Sequence, residues 1–190
     1  MNSLRTIAIV ALTIMTSACA TVMTETNDRP IEEDHGRRSL GAVIDDQSIE
    51  TTATVNIRKT DSRLEQANVN VVSFNGHVLL TGQTPDADLR QLTAQTAANV
   101  KNVKSVRNEL TVGDNATFPQ RSSDALLTTK VKSRLLAAAN IKDSRVKVVT
   151  ELGAVFLMGL VTRAEGDIAA RAAQDTAGVQ KVVLLFEYID

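Results

Sequence analysis

The strongest constraint on the fold is an internal repeat that relates two parts of the chain at a spacing of 77 residues. Seven residues within 14 positions are identical between the two parts in a single register. A repeat of this kind indicates a duplicated folding unit, so the sequence predicts two tandem copies of one fold. The matching residues are Val69, Val71, Val72, Gly76, Val78, Leu80 and Gly82 in the first copy and Val146, Val148, Val149, Gly153, Val155, Leu157 and Gly159 in the second.

Each copy begins with a predicted amphipathic helix. Apolar residues recur about every four positions, which places them on one helical face suited to packing on a sheet. Asp46 and Asp124 precede these stripes and are predicted N-caps, because Asp is favoured there. The predicted buried stripes are Ile49, Ala53 and Ile57 in the first copy and Leu127, Val131, Leu135 and Ala138 in the second.

A hairpin follows the helix in each copy. Asn75 and Gly76 separate two apolar runs, and both residues accept the positive φ angles that a two-residue type I′ turn requires. Leu152 and Gly153 occupy the matching place in the second copy. The pattern predicts two hairpins of the same length.

A second helix and a third strand complete each copy. Thr84 and Pro85 are predicted as the N-cap and first residue of one helix, while Thr162 and Glu165 form a capping box for the other. Third strands are predicted over residues 105–112 and 181–189. The order αββαβ gives an α+β fold class, with two tandem sandwiches that each pack two helices on a three-stranded sheet.

The duplicated part has a flexible tether and a targeting segment before it. Arg5, an apolar run and small residues ending at Ala18 predict a secretory signal over residues 1–18. Cys19 follows, and residues 19–40 are polar and without apolar periodicity, which predicts a tether. The domains are then expected at residues 41–112 and 123–190, with a linker at residues 113–122.

Cys19 has two interpretations. Small residues directly before a Cys resemble the lipobox of bacterial lipoproteins, in which the thiol is acylated and the signal is cut before it. An ordinary signal peptide cut after Ala18 would instead leave a free exported thiol. The lipoprotein interpretation explains an unpaired exported Cys, and several acyl chains make a durable anchor. Ala20 is not Asp, which by resemblance to the bacterial sorting rule favours the outer membrane.

Composition excludes several classes of function. The 21 basic and 22 acidic residues give a net charge of −1, which leaves no large basic surface for nucleic acid. One Cys and two His are too few for disulfide scaffolds and most metal sites. His35 lies in the tether and His77 on the hairpin, and no nucleophile elbow or phosphate loop occurs, so neither an enzyme nor a small-molecule substrate is expected.

Other conspicuous residues have structural explanations. The acidic pairs Asp45/Asp46 and Asp86/Asp88 are assigned to helix starts, where the helix dipole favours them. Glycines near the turns and strand ends are expected to serve the backbone by positive φ or close approach. These structural glycines are Gly76, Gly82, Gly153 and Gly159.

The αββαβ order, Val-Leu-Leu-Thr-Gly at 78–82 and Val-Phe-Leu-Met-Gly at 155–159 resemble the BON domain of bacterial envelope proteins. Residues 128–136 and 155–162 resemble it most closely, and two such domains after a lipobox are similar to dual-BON outer-membrane lipoproteins. The resemblance implies a non-enzymatic, lipid-anchored protein on the periplasmic face of the outer membrane. It also implies binding to anionic phospholipid such as phosphatidylglycerol through the second domain, a place at the division site and support of outer-membrane integrity. No cofactor is implied beyond acyl chains on Cys19.

The outward side of the second domain's first helix fits that implication. Cations beside exposed leucines suit the boundary of an anionic membrane. Leu126 stands where the family commonly has Trp. The expected phospholipid-binding residues are Leu126, Lys130, Lys132, Ser133, Arg134 and Leu136.

Three alternatives remain open at this point. The helix face can be an ordinary solvated surface. The paired domains can form a scaffold for an envelope protein partner in division, peptidoglycan remodelling or outer-membrane assembly, with membrane contact only through the acyl chains. If Cys19 is not acylated, the protein is a soluble periplasmic stress protein.

Overall fold

The first copy folds as a hairpin extended by parallel strands and covered by helices on one face. The structure is a computed structural model that describes residues 38–139 and 145–190. β1 and β2 pair antiparallel, and β3 and β4 both pair parallel with β2. The elements are α1 (Leu40–Thr60), α2 (Ser62–Glu65), β1 (Val69–Phe74), β2 (His77–Thr84), α3 (Ala87–Ala98), β3 (Ser105–Asn108) and β4 (Thr111–Val112).

The second copy repeats this plan with a continuous last strand. The sheet has the order β5-β6-β7, with an antiparallel hairpin and a parallel third strand. The predicted α+β class and the two αββαβ units are therefore confirmed, with the short helix α2 as an addition. The elements are α4 (Phe118–Ala139), β5 (Val146–Glu151), β6 (Ala154–Val161), α5 (Arg163–Gln174) and β7 (Lys181–Tyr188).

The third strand of the first copy differs from the prediction of one strand over residues 105–112. It is broken between β3 and β4, where Asn108 Oδ1 accepts a hydrogen bond from the Leu110 N–H at 3.2 Å. Leu110 is turned into the core and is only 2% exposed. The burial of this leucine explains the break.

The predicted helix stripes form most of the two cores. Ile49, Ala53 and Ile57 are at most 2% exposed, and their counterparts in α4 are buried as well. The prediction for Ala138 is wrong, because Ala138 is exposed. The apolar core of the second copy ends at Leu135 along α4, so a correct angular position does not guarantee a packing partner there.

The predicted roles of Asp46 and Asp124 as helix caps are wrong. α1 begins at Leu40, where the N-cap Ser39 accepts from the Ala42 N–H, so Asp45 and Asp46 lie inside the helix. α4 likewise begins at Phe118, six residues before Asp124. Both predictions placed the helix start too late in the chain and missed the polar residues Ser39 and Thr117 that precede the two helices.

Each of these aspartates caps a hairpin turn instead. Asp46 accepts from the N–H groups of Asn75 at 2.8 Å and Gly76 at 2.9 Å. Asp124 accepts in the same way from Leu152 and Gly153, at 2.8 and 2.9 Å. A carboxylate on the first helix thus fixes the turn of the following hairpin in both copies.

The second helices differ in how well their starts were predicted. Thr84 is not the N-cap of α3, because it still pairs with Val112 in the sheet. Asp86 caps α3 by accepting from the Leu89 N–H at 2.7 Å, and Asp88 lies in the first turn. The capping box of Thr162 and Glu165 at the start of α5 is confirmed.

The two sheets pack on each other through the faces opposite their helices. One apolar cluster joins them, which gives the described chain four layers in the order helices, sheet, sheet, helices. Polar contacts border the cluster: Gln83 Nε2 donates to Glu151 Oε1 at 2.7 Å, and Lys147 Nζ donates to Glu50 Oε1 at 2.8 Å. The buried cluster consists of Val72, Phe74, Leu79, Val149, Phe156, Met158 and Leu160.

The contacts of Asp46 predict a stability change for Asp46→Asn. Burial raises the pKa of Asp46, but hydrogen bonds from Ser73, Gly76, Asn75 and Arg38 outweigh it, so the pKa lies below its ordinary value. The substitution turns an amide N–H₂ toward backbone donors and should lower the free energy of unfolding by about 1–3 kcal/mol at pH 7. Urea denaturation measures the change.

The pH dependence and a neighbouring residue provide the controls. A lowered carboxyl pKa stabilises the fold above the ordinary pKa, and that stabilisation is lost as pH falls through the folded-state value. The difference between wild type and Asp46→Asn should therefore shrink in acid. Asp45→Asn makes the same chemical change at an exposed site and should have little effect. Equal losses in the two variants would refute the role of Asp46.

Glu151 predicts the opposite pH dependence. Burial raises the pKa of Glu151, and the nearby Asp124 carboxylate raises it further. The hydrogen bond from Gln83 lowers the pKa but does not offset this increase. A raised carboxyl pKa favours the fold at low pH, and this advantage is lost as pH rises through the folded-state pKa. Glu151→Gln keeps an oxygen acceptor for Gln83, so it should raise the melting temperature at pH 7 and have little effect at pH 4. An equal gain at both pH values contradicts this explanation.

Candidate functional site

The outward face of α4 carries the candidate site, because the inward face is occupied by the core. At 100° per residue, the buried side chains of Leu127, Val131 and Leu135 define the inward side. On the opposite side Leu126 is 65% exposed and Leu136 is 49% exposed. Exposed leucines of this size on a helix already anchored by its other face indicate a surface available for contact.

The predicted polar residues lie on the same helix but differ in their exposure and in their existing contacts. Lys130 and Ser133 are exposed on the outward side, close to Leu126, whereas Lys132 is half-buried at its margin. Arg134 is exposed, but its Nη1 donates to the Asp175 carbonyl oxygen at 2.6 Å. Asp175 is the C-cap of α5, so Arg134 interacts with the negative end of that helix dipole. Lys130 is therefore the cation best placed beside an exposed leucine.

The charge of α4 differs from that of the corresponding helix in the first copy. α4 contains four basic residues and one acidic residue, and that acid, Asp124, is buried against the hairpin turn. α1 contains two basic and three acidic residues. Asp46 of α1 is buried as well. α4 thus carries four basic residues and no exposed acid, while α1 carries two basic residues together with Asp45 and the half-buried Glu50.

Phe118 is a candidate site residue that the sequence interpretation missed. It was assigned to the linker, yet α4 begins there and the side chain is 75% exposed. Phe118 lies 18 residues before Leu136, which is five helical turns, so both project from the same side about 27 Å apart along the axis. The missed signal is Thr117-x-x-Gln120: Gln120 Oε1 accepts from the Thr117 N–H at 2.7 Å, a variant of the capping box.

The glycines lie at turns and close contacts. Gly76 and Gly153 occupy the second turn positions with φ angles of 80° and 77°. A Cβ on Gly82 would overlap the carbonyl oxygen of Asn68, and one on Gly159 would lie 2.5 Å from the Arg145 carbonyl oxygen. Gly82 and Gly159 therefore allow the strand to approach the backbone that precedes each hairpin.

The remaining predicted residues fall outside this surface. His77 Nδ1 is 2.7 Å from Ser105 Oγ, and its Nε2 is 3.5 Å from a Glu187 oxygen, between the two domains. Cys19, His35 and most of the tether lie outside the described residues. Across residues 38–139 and 145–190, no helix is long and apolar enough to cross a membrane, and no group of His, Cys, Asp and Glu could hold a metal ion.

The fold and surface define a protein of two tandem αββαβ modules that presents one cationic, partly apolar helix face. The family model for the BON domain matches residues 45–114 and again residues 123–190. The chain therefore belongs to the BON domain family and contains two copies of the domain.

Three relatives extend over most of the chain. The outer membrane lipoprotein DolP of Haemophilus influenzae is 40% identical over 153 residues, which cover 80% of this chain and 79% of that protein. The 21 kDa hemolysin of Actinobacillus pleuropneumoniae is 38% identical and covers 85% and 81%. The osmotically-inducible protein Y of Escherichia coli is 30% identical and covers 89% of each chain. The chain is thus similar to these three proteins along most of their length.

Proposed function

We propose that this chain is a non-enzymatic, lipid-anchored envelope protein that binds anionic phospholipid through the outward face of α4. The anchor is a set of acyl chains on Cys19, and the domains face the periplasm from the outer membrane. Similarity to a protein named an outer membrane lipoprotein supports this location. In this proposal the protein supports outer-membrane integrity and acts at the division site.

The observation that carries the proposal is the exposure of Leu126 beside Lys130. A leucine that is 65% exposed gains free energy by entering the acyl boundary of a bilayer. A cation held near an anionic headgroup layer contributes about 1 kcal/mol. Within the described ranges Lys130 makes no ion pair, so its charge is available to a lipid phosphate.

The length of the exposed face fits a helix that lies along a membrane surface. Phe118, Leu126 and Leu136 are distributed over about 27 Å of the helix axis. All three are at least 49% exposed and project from the same outward half of α4. Shallow contact along the helix suffices, because the proposed acyl anchor already holds the domains at the membrane.

A second candidate function is a scaffold for an envelope protein partner. The observation in its favour is an exposed apolar stripe on the outward side of α1, formed by Leu40, Ile44 and Val55. Exposed apolar patches of this kind often mark protein interaction surfaces. Arg58 and Lys59 lie near Val55, but Asp45 lies beside Ile44, so the stripe as a whole is less cationic than the outward side of α4. Under this alternative the domains do not bind phospholipid, and the acyl chains provide the membrane contact.

Vesicle binding separates the two functions. A protein that starts at Ala20 should bind phosphatidylglycerol vesicles, more weakly at high salt, and should ignore phosphatidylcholine vesicles. Leu126→Glu with Lys130→Glu removes an inserting side chain and reverses a cation, so binding should weaken about tenfold or more. Flotation or sedimentation with vesicles measures the change.

A matched pair of substitutions on the first domain controls for net charge. Ile44→Glu with Lys59→Glu makes the same chemical changes at exposed sites on α1. This variant should bind vesicles nearly as well as the wild type. Absence of wild-type binding favours the scaffold, whereas equal losses in the two variants reject α4 as the specific site.

The proposed anchor is tested by Cys19→Ala. Loss of the acylated thiol should move the protein from the membrane fraction to the soluble fraction, as fractionation and immunoblotting would show. Ala20→Asp keeps the thiol and should leave the protein membrane-bound while directing it to the inner membrane. A wild type found in the soluble fraction would contradict the lipoprotein assignment and support a soluble periplasmic protein.

A further inference from the structure

β7 is an edge strand whose outer side is open to pairing. It lies at the end of the β5-β6-β7 sheet and pairs only on its β6 side in the described sheet. The Ile189 N–H donates to the Val161 carbonyl oxygen, so the odd-numbered residues of this segment direct their backbone groups toward β6. The N–H and C=O groups of Val182, Leu184 and Phe186 therefore point away from the sheet.

This edge lacks the features that normally prevent pairing with another chain. Residues 182–186 are five consecutive apolar residues with no charge, proline or glycine, and Leu184 is 42% exposed. The equivalent edge of the first domain is short: β3 has four residues and contains Arg107. Natural edge strands are usually blunted by charge, shortness or distortion, as β3 is and β7 is not.

The charged residues of β7 allow two copies of the strand to pair with opposite charges facing each other. Lys181 and Glu187 are each three residues from Leu184, on opposite sides of it. In an antiparallel pair centred on Leu184, Lys181 of each strand lies opposite Glu187 of the other, and both side chains are on the same face. Within the chain, Lys181 Nζ lies 4.0 Å from Glu109 Oε2, and Glu187 Oε2 lies 3.5 Å from His77 Nε2. The two side chains are still 63% and 45% exposed, so both can reach a second strand.

The direction of the backbone groups selects the same register. Pairing centred on Leu184 places the outward N–H and C=O groups of Leu184 opposite those of Leu184 in the second copy. It likewise places the outward backbone groups of Val182 opposite those of Phe186. A shift by two residues keeps the hydrogen bonds but places Lys181 opposite Leu185 or Ile189. Only the centred register satisfies both the backbone and the two charge pairs.

We propose that two copies of this chain pair through β7, antiparallel and centred on Leu184, to form a continuous six-stranded sheet. The interface is isologous, since the same strand contributes both sides and a twofold axis passes through Leu184. Glu187 keeps its bond from Asn75 Nδ2 at 2.7 Å, because a carboxylate has further acceptor positions for the second Lys181. This pairing does not depend on the proposed lipid binding.

Disulfide trapping tests the register. In an antiparallel pair, Lys181 and the opposite Glu187 form a non-hydrogen-bonded pair with Cα atoms about 4.5 Å apart, within disulfide range. The full-length protein purified from membranes in mild detergent should give covalent dimers when Lys181→Cys and Glu187→Cys are mixed and oxidised. Neither variant alone should do so, because two copies of the same position are about 20 Å apart.

The wild type in the same oxidation controls for any free thiol at Cys19. A mixture that stays monomeric overturns the proposal. Equal crosslinking of Lys181→Cys alone also overturns it, because that product requires a different register or a random encounter.

Sedimentation of the full-length protein in detergent tests the dimer itself. The wild type should dimerise reversibly, and Leu184→Lys should raise the dissociation constant roughly tenfold or more, because two cations meet on the axis. Val43→Lys is the matched control: Val43 is 43% exposed on α1, and its substitution should leave dimerisation unchanged. The proposal is overturned if the wild type is monomeric. It is also overturned if the control variant loses dimerisation while Leu184→Lys keeps it. Circular dichroism verifies folding, and the cysteine pair decides the question if Leu184→Lys does not fold.

Discussion

The apolar contact between the two sheets is the interaction on which the rest of the structure depends. Each BON domain has about 70 residues, a size at which one core provides only marginal stability. Stacking the sheets gives each of them a second buried face. Val72 and Val149 occupy equivalent positions in the repeat and meet in this layer, as do Leu79 and Phe156. A duplicated domain thus becomes stable by packing like surfaces together.

This stacking decides which surfaces remain for function. Because the inner face of each sheet is covered, the helices form the outer layers, and their outward sides are available to a membrane or a partner. The two copies have diverged there: α4 combines Leu126 with Lys130, while α1 presents an apolar stripe that includes Leu40 and Ile44. They have diverged at the sheet edges as well, where β3 is short and β7 is long and apolar. The repeat supplies the common framework, and the differences between copies carry the proposed functions.

Local patterns predicted the fold well where one residue type has one structural use. Asn75-Gly76 identified a turn because both positions require positive φ, and the structure gives 52° and 80°. Leu152 has a φ of 48° in the second turn, a conformation that leucine rarely adopts. Only the repeat revealed that turn. The hydrogen bonds from Leu152 and Gly153 to Asp124 show what holds it.

The sequence by itself determined the duplication, the αββαβ order, the buried helix stripes and the outward position of Leu126 and Lys130, because these follow from periodicity and turn chemistry. Tertiary structure decided the partners of Asp46 and Asp124, the contact of Arg134 with α5 and the stacking of the sheets. Those features join residues far apart in the chain. The sequence alone does not distinguish an aspartate that caps its own helix from one that caps a distant turn. The physical reason is that local preference acts over a few residues, whereas burial depends on which surfaces meet.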